Sequence, residues 1–418
     1  MEYGLIGESL KHSWSKEIHN MIGDYDYEIL GLPANDFDSF IKSRGFKGLN
    51  ITIPYKQKII PYCKSLSKSA KRIGSVNTVI VDNNGELQGF NTDYDGFIYM
   101  YNNAGISFAG KSVIILGSGG TGKTAKVATE DMGAAKVTVI SRTGHHTYDD
   151  IRDFSNTDII INTTPVGMYP NNRRSLVDLG NFSKCEAVID VIYNPMKTQL
   201  LMDAEDRGIK YTSGLPMLVA QAKFASDIFQ GEGQKGESPN NHITKQIIDK
   251  IKFDNSNAIL IGMPGSGKTC IGRVVAEKLE RSFVDIDTAV TEITGLPISD
   301  IFDKFGEEHF RDIESDTIKK YGKEKGLVIS VGGGGILRKE TRFDLRQNGY
   351  IIWVQRDLDK LETAGRPLSK NRKSLKRILQ GRKEIYESIS QFKVDNNGDD
   401  YHMAAMGLVR HLCRSGLE

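Results

Sequence analysis

The chain has 418 residues, too many for one ordinary domain, so two or three domains with cores of their own are expected. Its 55 Lys and Arg nearly balance 53 Asp and Glu, and the charges are interspersed, so neither a nucleic-acid partner nor a charged interaction tail is expected. The four cysteines, Cys63, Cys185, Cys270 and Cys413, form no CxxC pair, which argues against a disulfide framework or a zinc site. Met1 to Trp14 shows no basic segment followed by an apolar run, and no apolar stretch approaches the roughly 20 residues that span a bilayer. A cytoplasmic protein with no membrane partner is expected.

Short β-branched runs alternate with longer amphipathic patterns, which predicts an α/β fold with parallel sheets. In chain order, buried strands are expected at 112–116, 136–140, 157–161, 187–191, 258–261, 327–331 and 350–354. Glycines cluster directly after several of them, where open α/β sheets bind ligands.

Ahead of the first of these strands stand groups suited to a small polar molecule. Lys56, in Asn50-Ile51-Thr52-Ile53-Pro54-Tyr55-Lys56, and Asp93, in Gly89-Phe90-Asn91-Thr92-Asp93, can exchange a proton. Ser13, Ser15, Thr52 and Asn77 add hydroxyl and amide groups able to orient a polyhydroxylated acid. The strand ending at Leu116 then runs into Gly117-Ser118-Gly119-Gly120-Thr121-Gly122-Lys123-Thr124. This fits both G-x-G-x-x-G and G-x-x-x-x-G-K-T, and the pattern alone does not choose between a dinucleotide loop and a P-loop.

Context chooses. One β-α-β unit later the strand 136–140 ends in Ser141-Arg142-Thr143. An acidic residue there would take the ribose hydroxyls of NAD, whereas Arg142 suits the 2′-phosphate of NADP. No Asp-x-Asp follows at the distance a kinase needs. Gly117, Gly119, Gly120 and Gly122 are therefore read as a dinucleotide loop, with Ser141, Arg142 and Thr143 at the extra phosphate. Hydride transfer also moves one proton, and Lys56 and Asp93 are the candidates for it.

Ordered motifs run through this half: Gly7-Glu8-Ser9-Leu10-Lys11-His12-Ser13-Trp14-Ser15, Ile18-His19-Asn20, Gly74-Ser75-Val76-Asn77-Thr78, Asn162-Thr163-Thr164-Pro165-Val166-Gly167-Met168, Asp190-Val191-Ile192-Tyr193-Asn194-Pro195, and Gly214 through Ala222. With the Lys56 and Asp93 segments they resemble shikimate dehydrogenases. The resemblance implies that Ser13 and Ser15 hold the substrate carboxylate. It also implies that Thr52, Asn77, Asp93 and Gln221 bind its hydroxyls, that Lys56 and Asp93 serve proton transfer, and that Tyr193 lies near the substrate. The implied fold is a discontinuous α/β substrate-binding domain, 1–100 completed by about 221–253, beside a Rossmann NADP-binding domain, 101–220. Ser9 and Lys16 stand where the family usually has proline, Ser141 where it has Asn, and His146 where many members have a second Arg.

Gly231 to Asn241 is rich in Gly, Glu, Ser, Asn and Pro and reads as a loop, followed by helical spacing over 242–251 and a polar stretch over 252–257. This places a boundary near 254, with the short helix in the first half. The strand 258–261 then leads into Gly262-Met263-Pro264-Gly265-Ser266-Gly267-Lys268-Thr269 and a helical run, the setting of a P-loop. Backbone amides around Gly265 and Gly267 would cradle phosphate, Lys268 would neutralise it, and Thr269 would reach Mg²⁺. Phe283-Val284-Asp285-Ile286-Asp287 follows, read as a strand that puts Asp285 and Asp287 on one face.

Further motifs are Gly306 through Glu314, Ser330-Val331-Gly332-Gly333-Gly334, Gly365-Arg366-Pro367-Leu368, and Arg382 ahead of Tyr386. From about Asn257 onward the chain resembles shikimate kinases, which implies a P-loop, NMP-kinase-like α/β domain over 254–418 that uses ATP. The resemblance implies Mg²⁺ held through Thr269 and Asp285, and Asp287 as base or positioner at the substrate hydroxyls. It further implies Arg311 and Arg382 on the carboxylate, Gly333 against the substrate and Arg366 on a closing lid. The segment between Val354 and Arg366 is several residues shorter than in the family, and Ser369 replaces a common Leu. ATP hydrolysis without acceptor is the expected consequence.

Together the halves imply NADPH-dependent reduction of 3-dehydroshikimate to shikimate, then its ATP-dependent phosphorylation. Two other readings compete: a quinate-type dehydrogenase with a related small-molecule kinase, and a non-catalytic sensor derived from such enzymes. Retention of Lys56, Asp93, Lys268 and Asp287 speaks against the sensor. None of these motifs sets an oligomeric state.

Overall fold

The computed structural model describes residues 1–8, 10, 13–232, 241–361 and 372–415. It forms two compact units, Met1–Ile248 and Asp249–Glu418. The divide falls inside a helix, Asn241–Asn255. Residues 252–255, read from sequence as part of a polar connector, are the last turn of that helix. Phe253 in this turn packs against the core of the second unit beneath the Arg281 guanidinium. Among the described residues no helix is long and apolar enough to cross a membrane.

The first unit holds two sheets. One contains β1 (Tyr3–Gly7), β2 (Tyr27–Gly31), β3 (Gly48–Ile51), β4 (Cys63–Leu66), β5 (Thr78–Val81) and β6 (Leu87–Phe90), in the order β2-β1-β3-β5-β6-β4. Its β1, β2 and β3 run parallel, whereas β5 is antiparallel to β3 and β6. The other contains β7 (Ser112–Leu116), β8 (Lys136–Ile140), β9 (Ile159–Asn162), β10 (Ala187–Asp190) and β11 (Lys210–Thr212), all parallel, in the order β11-β10-β9-β7-β8. The chain leaves β7 for β8 on one side and returns to β9 on the other, so a crevice opens at the C-terminal end of β7.

Two helices join the sheets, Thr92–Asn103 and Leu215–Phe229. Gly96 permits their contact, since a Cβ there would sit 2.8 Å from Met217 O and 2.9 Å from Gln221 Cβ. Phe97, Met100 and Tyr101 of the first helix enter one core with Val113, Ile115, Ile159 and Ile189 of the parallel sheet. The proton-transfer candidates are thereby tied to the dinucleotide-type sheet through a packed helix pair.

The second unit is built on β12 (Asn257–Ile261), β13 (Phe283–Asp285), β14 (Val328–Ser330), β15 (Gly349–Gln355) and β16 (Phe392–Asp395), all parallel, in the order β13-β14-β12-β15-β16. Central β12 is buried along its length and opens into the second glycine loop. Asp287 departs from the sequence reading. The strand ends at Asp285, and Asp287 lies in the first turn of the helix Ile286–Thr294, so the two carboxylates share no strand face. Asp285 turns the chain by capping that helix, accepting a hydrogen bond from Thr288 N at 3.3 Å.

Candidate active sites

In the first unit Lys56 follows β3 and Asp93 opens the helix Thr92–Asn103. Asn91 fixes the start of this helix: its side chain accepts from Tyr94 N at 3.2 Å and donates to Ser75 O at 2.8 Å. Lys56 Nζ then donates to Asp93 Oδ2 at 2.6 Å, with both side chains only partly exposed. The backbone between them is tied as well, since Val76 N donates to Lys56 O at 2.9 Å. Asn77 is buried and donates to Thr92 Oγ1 at 3.0 Å and to Gln221 Oε1 at 3.4 Å, so the Asn77 and Gln221 amides meet at Thr92, the residue before Asp93.

Ser13 and Ser15 form a second group, with Ser13 Oγ donating to Ser15 Oγ at 3.0 Å. Between them Trp14 packs against Tyr193 with ring centroids 5.1 Å apart. Among the described residues no hydrogen bond joins these serines to Lys56 or Asp93. Thr52 lies at the end of β3, where its N donates to Ile6 O at 3.0 Å.

The first glycine loop opens at the crevice. Gly117 has φ 107°, and a Cβ at Gly122 would run into Gly117 O. Glycine at 122 is thus required for the helix Gly120–Asp131 to start this close to β7. Gly119 is its N-cap and Gly120 its first residue, leaving amides of the first turn directed outward for an anion. Thr124, which would have to reach a metal in a P-loop, is buried and donates to Gly120 O at 3.2 Å. Ser141, Arg142 and Thr143 leave the end of neighbouring β8, whose Ile140 is in register with Leu116. Ser141 is buried, and Arg142 and Thr143 are exposed beside the crevice.

The same eight-residue pattern folds differently in the second unit. Gly262, Gly265 and Gly267 all take positive φ (147°, 79° and 94°), so the chain wraps before its helix begins at Lys268. Asn396 Nδ2 braces the loop by donating to Ser266 O at 2.8 Å. Lys268 Nζ bends back to Gly262 O and Met263 O at 3.1 and 3.0 Å. Ser266 Oγ is buried without a partner among the described residues, a donor that phosphate fits. Thr269 Oγ1 donates to Asp285 Oδ2 at 2.8 Å, an all-oxygen pair suited to Mg²⁺.

A cavity of about 940 Å³ gathers Gly265, Gly267, Lys268, Thr269, Asp285, Asp287, Arg311, Gly333 and Arg382. Arg366 and the lid around it lie outside the described residues. Arg382 and Tyr386 both donate to Gly333 O, at 2.7 and 3.1 Å. Arg311 donates to Glu314 Oε2 at 2.7 Å and to Glu307 Oε1 at 3.1 Å. The sequence motifs assign Glu314 no role, although its i+3 spacing from Arg311 on one helix is a signal for this pair. Burial, with Asp287 nearby, pushes its carboxyl up to about 7 against the pull of Arg311. Asn396 was also missed; its partner lies 130 residues away and no local motif marks it.

Two family models match: the shikimate dehydrogenase substrate binding domain over residues 5–79 and shikimate kinase over residues 264–412. A shikimate dehydrogenase (NADP(+)) of Clostridium perfringens is 38% identical over 251 residues, covering 55% of this chain and 92% of its own length. Among solved structures, a chorismate mutase/shikimate 5-dehydrogenase fusion protein from Clostridium acetobutylicum is 33% identical with a TM-score of 0.56, covering 60% of this chain and 96% of that one. Quinate dehydrogenase from Corynebacterium glutamicum, in complex with NAD, is 28% identical with a TM-score of 0.53, covering 59% and 98%. The chain belongs to the shikimate dehydrogenase family and carries a shikimate kinase domain behind it, a fusion of two shikimate-pathway enzymes in one polypeptide.

Proposed function

We propose that the first unit reduces 3-dehydroshikimate to shikimate with NADPH, and that the second phosphorylates shikimate with ATP and Mg²⁺. The observation that carries the first half is the 2.6 Å Lys56–Asp93 pair, a proton source held at its partner carboxylate beside a cluster of amides. When bound, NADPH supplies the hydride and ATP the phosphoryl group. Lys56 delivers a proton to the carbonyl oxygen of the substrate while Asp93 fixes the ammonium and accepts from a neighbouring hydroxyl. Asn77, Thr52 and Gln221 hold further hydroxyls, and Ser13 and Ser15 take the carboxylate with Tyr193 close by. Gly117, Gly119, Gly120 and Gly122 admit the pyrophosphate, and Ser141, Arg142 and Thr143 take the 2′-phosphate.

In the second unit Gly265, Gly267 and Lys268 seat the phosphates, and Thr269 with Asp285 holds the metal. Asp287 accepts from the substrate hydroxyl that is to be phosphorylated. Arg311 and Arg382 pair with the carboxylate, for which their forked donors are matched, and Gly333 lets the backbone come close. Arg366 takes the charge of the transferring phosphate. The division into a substrate domain (1–100 with 221–253), a Rossmann domain (101–220) and a kinase domain (254–418) is part of the same proposal.

The test is one purified chain assayed twice. NADPH absorbance falling with 3-dehydroshikimate, and ADP appearing with shikimate, support the proposal; failure of either removes that half. Quinate is the second reading, favoured by the likeness to a quinate dehydrogenase, and a higher kcat/KM for quinate than for shikimate would establish it.

A further inference from the structure

We propose that Arg356, at the end of β15, is a nucleotide-binding residue of the kinase unit that grips the phosphate chain of ATP. This rests on the kinase reading above and adds a residue to it. Arg356 lines the same cavity as Gly267, Lys268 and Asn396. Its Nη1 lies 3.9 Å from where a Cβ on Gly267 would be, so the guanidinium stands beside the glycine that opens the P-loop helix.

The register explains the placement. Gln355 pairs with Asp395 across β15 and β16, and Asn396 N donates to Gln355 O at 2.9 Å, so Arg356 and Asn396 emerge side by side at the same sheet edge. Asn396 turns inward to brace the loop through Ser266 O, which leaves Arg356 facing the cavity.

The cations around this cavity are otherwise engaged. Arg311 is paired with Glu307 and Glu314, and Arg382 donates to Gly333 O. Arg356 has no ion pair among the described residues, and its Nε is buried without a hydrogen-bond partner there. A buried, unpartnered guanidinium nitrogen is costly unless an acceptor completes it. A polyphosphate offers several oxygens of the right charge, and a planar fork is suited to take two of them. Arg356 adds a fixed cation at the P-loop end, beside Lys268 and the Mg²⁺ that Thr269 and Asp285 would hold.

The experiment compares the full-length protein with Arg356→Gln and Arg356→Lys, using calorimetric titration with MgADP and with inorganic tripolyphosphate. The expected result is a dissociation constant raised at least about tenfold for both ligands in the Gln variant, the loss of one charge-assisted bond. The Lys variant should recover part of it, and the KM for shikimate should stay within about twofold. Equal MgADP affinity in wild type and Arg356→Gln overturns the assignment. If only tripolyphosphate binding is unchanged, Arg356 serves the base or sugar, which also overturns it as stated. Should the Gln variant not fold, phenylglyoxal labelling of Arg356 in the wild-type chain decides: MgADP must protect it, and equal labelling with and without MgADP refutes the proposal. Wild-type protein that fails to bind MgADP at all defeats the kinase reading itself, a different outcome from a variant that binds normally.

Discussion

Lys56 Nζ and Asp93 Oδ2 lie 2.6 Å apart although 37 residues separate them in the chain. Lys56 comes from the loop after β3, tied by Val76 N to Lys56 O, and Asp93 from the first turn of a capped helix, so a tied loop and a helix start set the distance. Lys56→Ala is expected to lower the dehydrogenase kcat by about a hundredfold or more while changing KM far less, as for loss of a positioned general acid. Steady-state kinetics at saturating NADPH check this. A variant with normal kcat would remove Lys56 from the chemistry.

Thr269→Val keeps the side-chain shape but leaves Asp285 Oδ2 without the hydroxyl it accepts from. The Mg²⁺ concentration for half-maximal kinase activity should rise by about tenfold, consistent with loss of one oxygen donor. Dehydrogenase activity of the same preparation should be unaltered. An unchanged magnesium titration curve would show that Thr269 does not hold the metal.

Asp190, at the end of β10, is fully buried and accepts from Thr198 Oγ1 at 2.7 Å and from Ile192 N and Asn162 Nδ2 at 3.1 Å. Burial nevertheless pushes its carboxyl from 3.8 up to about 7. Between those values the folded state keeps a proton that the unfolded state has released. Its stabilising contribution is therefore complete below pH 3.8 and lost as pH rises through about 7. Hydrogen exchange along β10, corrected for intrinsic rates, should show less protection at pH 8 than at pH 5. Asp190→Asn, which cannot ionise, should flatten that difference; an equal difference in the variant would assign it to another group.

Gly122→Ala places a methyl group against Gly117 O. The helix must then withdraw from β7, at a cost of about 1–3 kcal/mol for a tight backbone contact. NADPH affinity should fall, whereas ATP affinity at the second loop should not. Unaltered NADPH binding would mean the close helix–strand approach is irrelevant to the cofactor.

Much of the parallel-sheet architecture was legible because buried strands read as unbroken β-branched runs, as in Ser112–Leu116 and Lys136–Ile140. The sheet of β1 to β6 gave no such signal. Its strands are short, contain glycines such as Gly4, Gly48 and Gly89, and several are half exposed, as in Tyr27–Gly31 and Cys63–Leu66. The pattern Phe283 to Asp287 misled because a period of two looks the same whether or not a cap intervenes, and Asp285 is that cap. Arg356 and Asn396 were not legible at all. Their meaning comes from register between β15 and β16, which no local spacing encodes.

The two glycine loops show what a shared pattern leaves open. Residues 117–124 and 262–269 both fit G-x-x-x-x-G-K-T, yet the first has one glycine at positive φ and starts its helix at the fourth position, while the second has three and starts it at the seventh. The first conformation turns Thr124 into the core, and the second turns Thr269 toward a carboxylate. The most direct test of this distinction is a crystal structure of the full chain grown with NADP⁺ and MgADP together. NADP⁺ is expected at Gly117–Gly122 with its 2′-phosphate toward Arg142, and ADP at Gly262–Thr269. Adenine nucleotide diphosphate seated at the first loop, or NADP⁺ at the second, would contradict it.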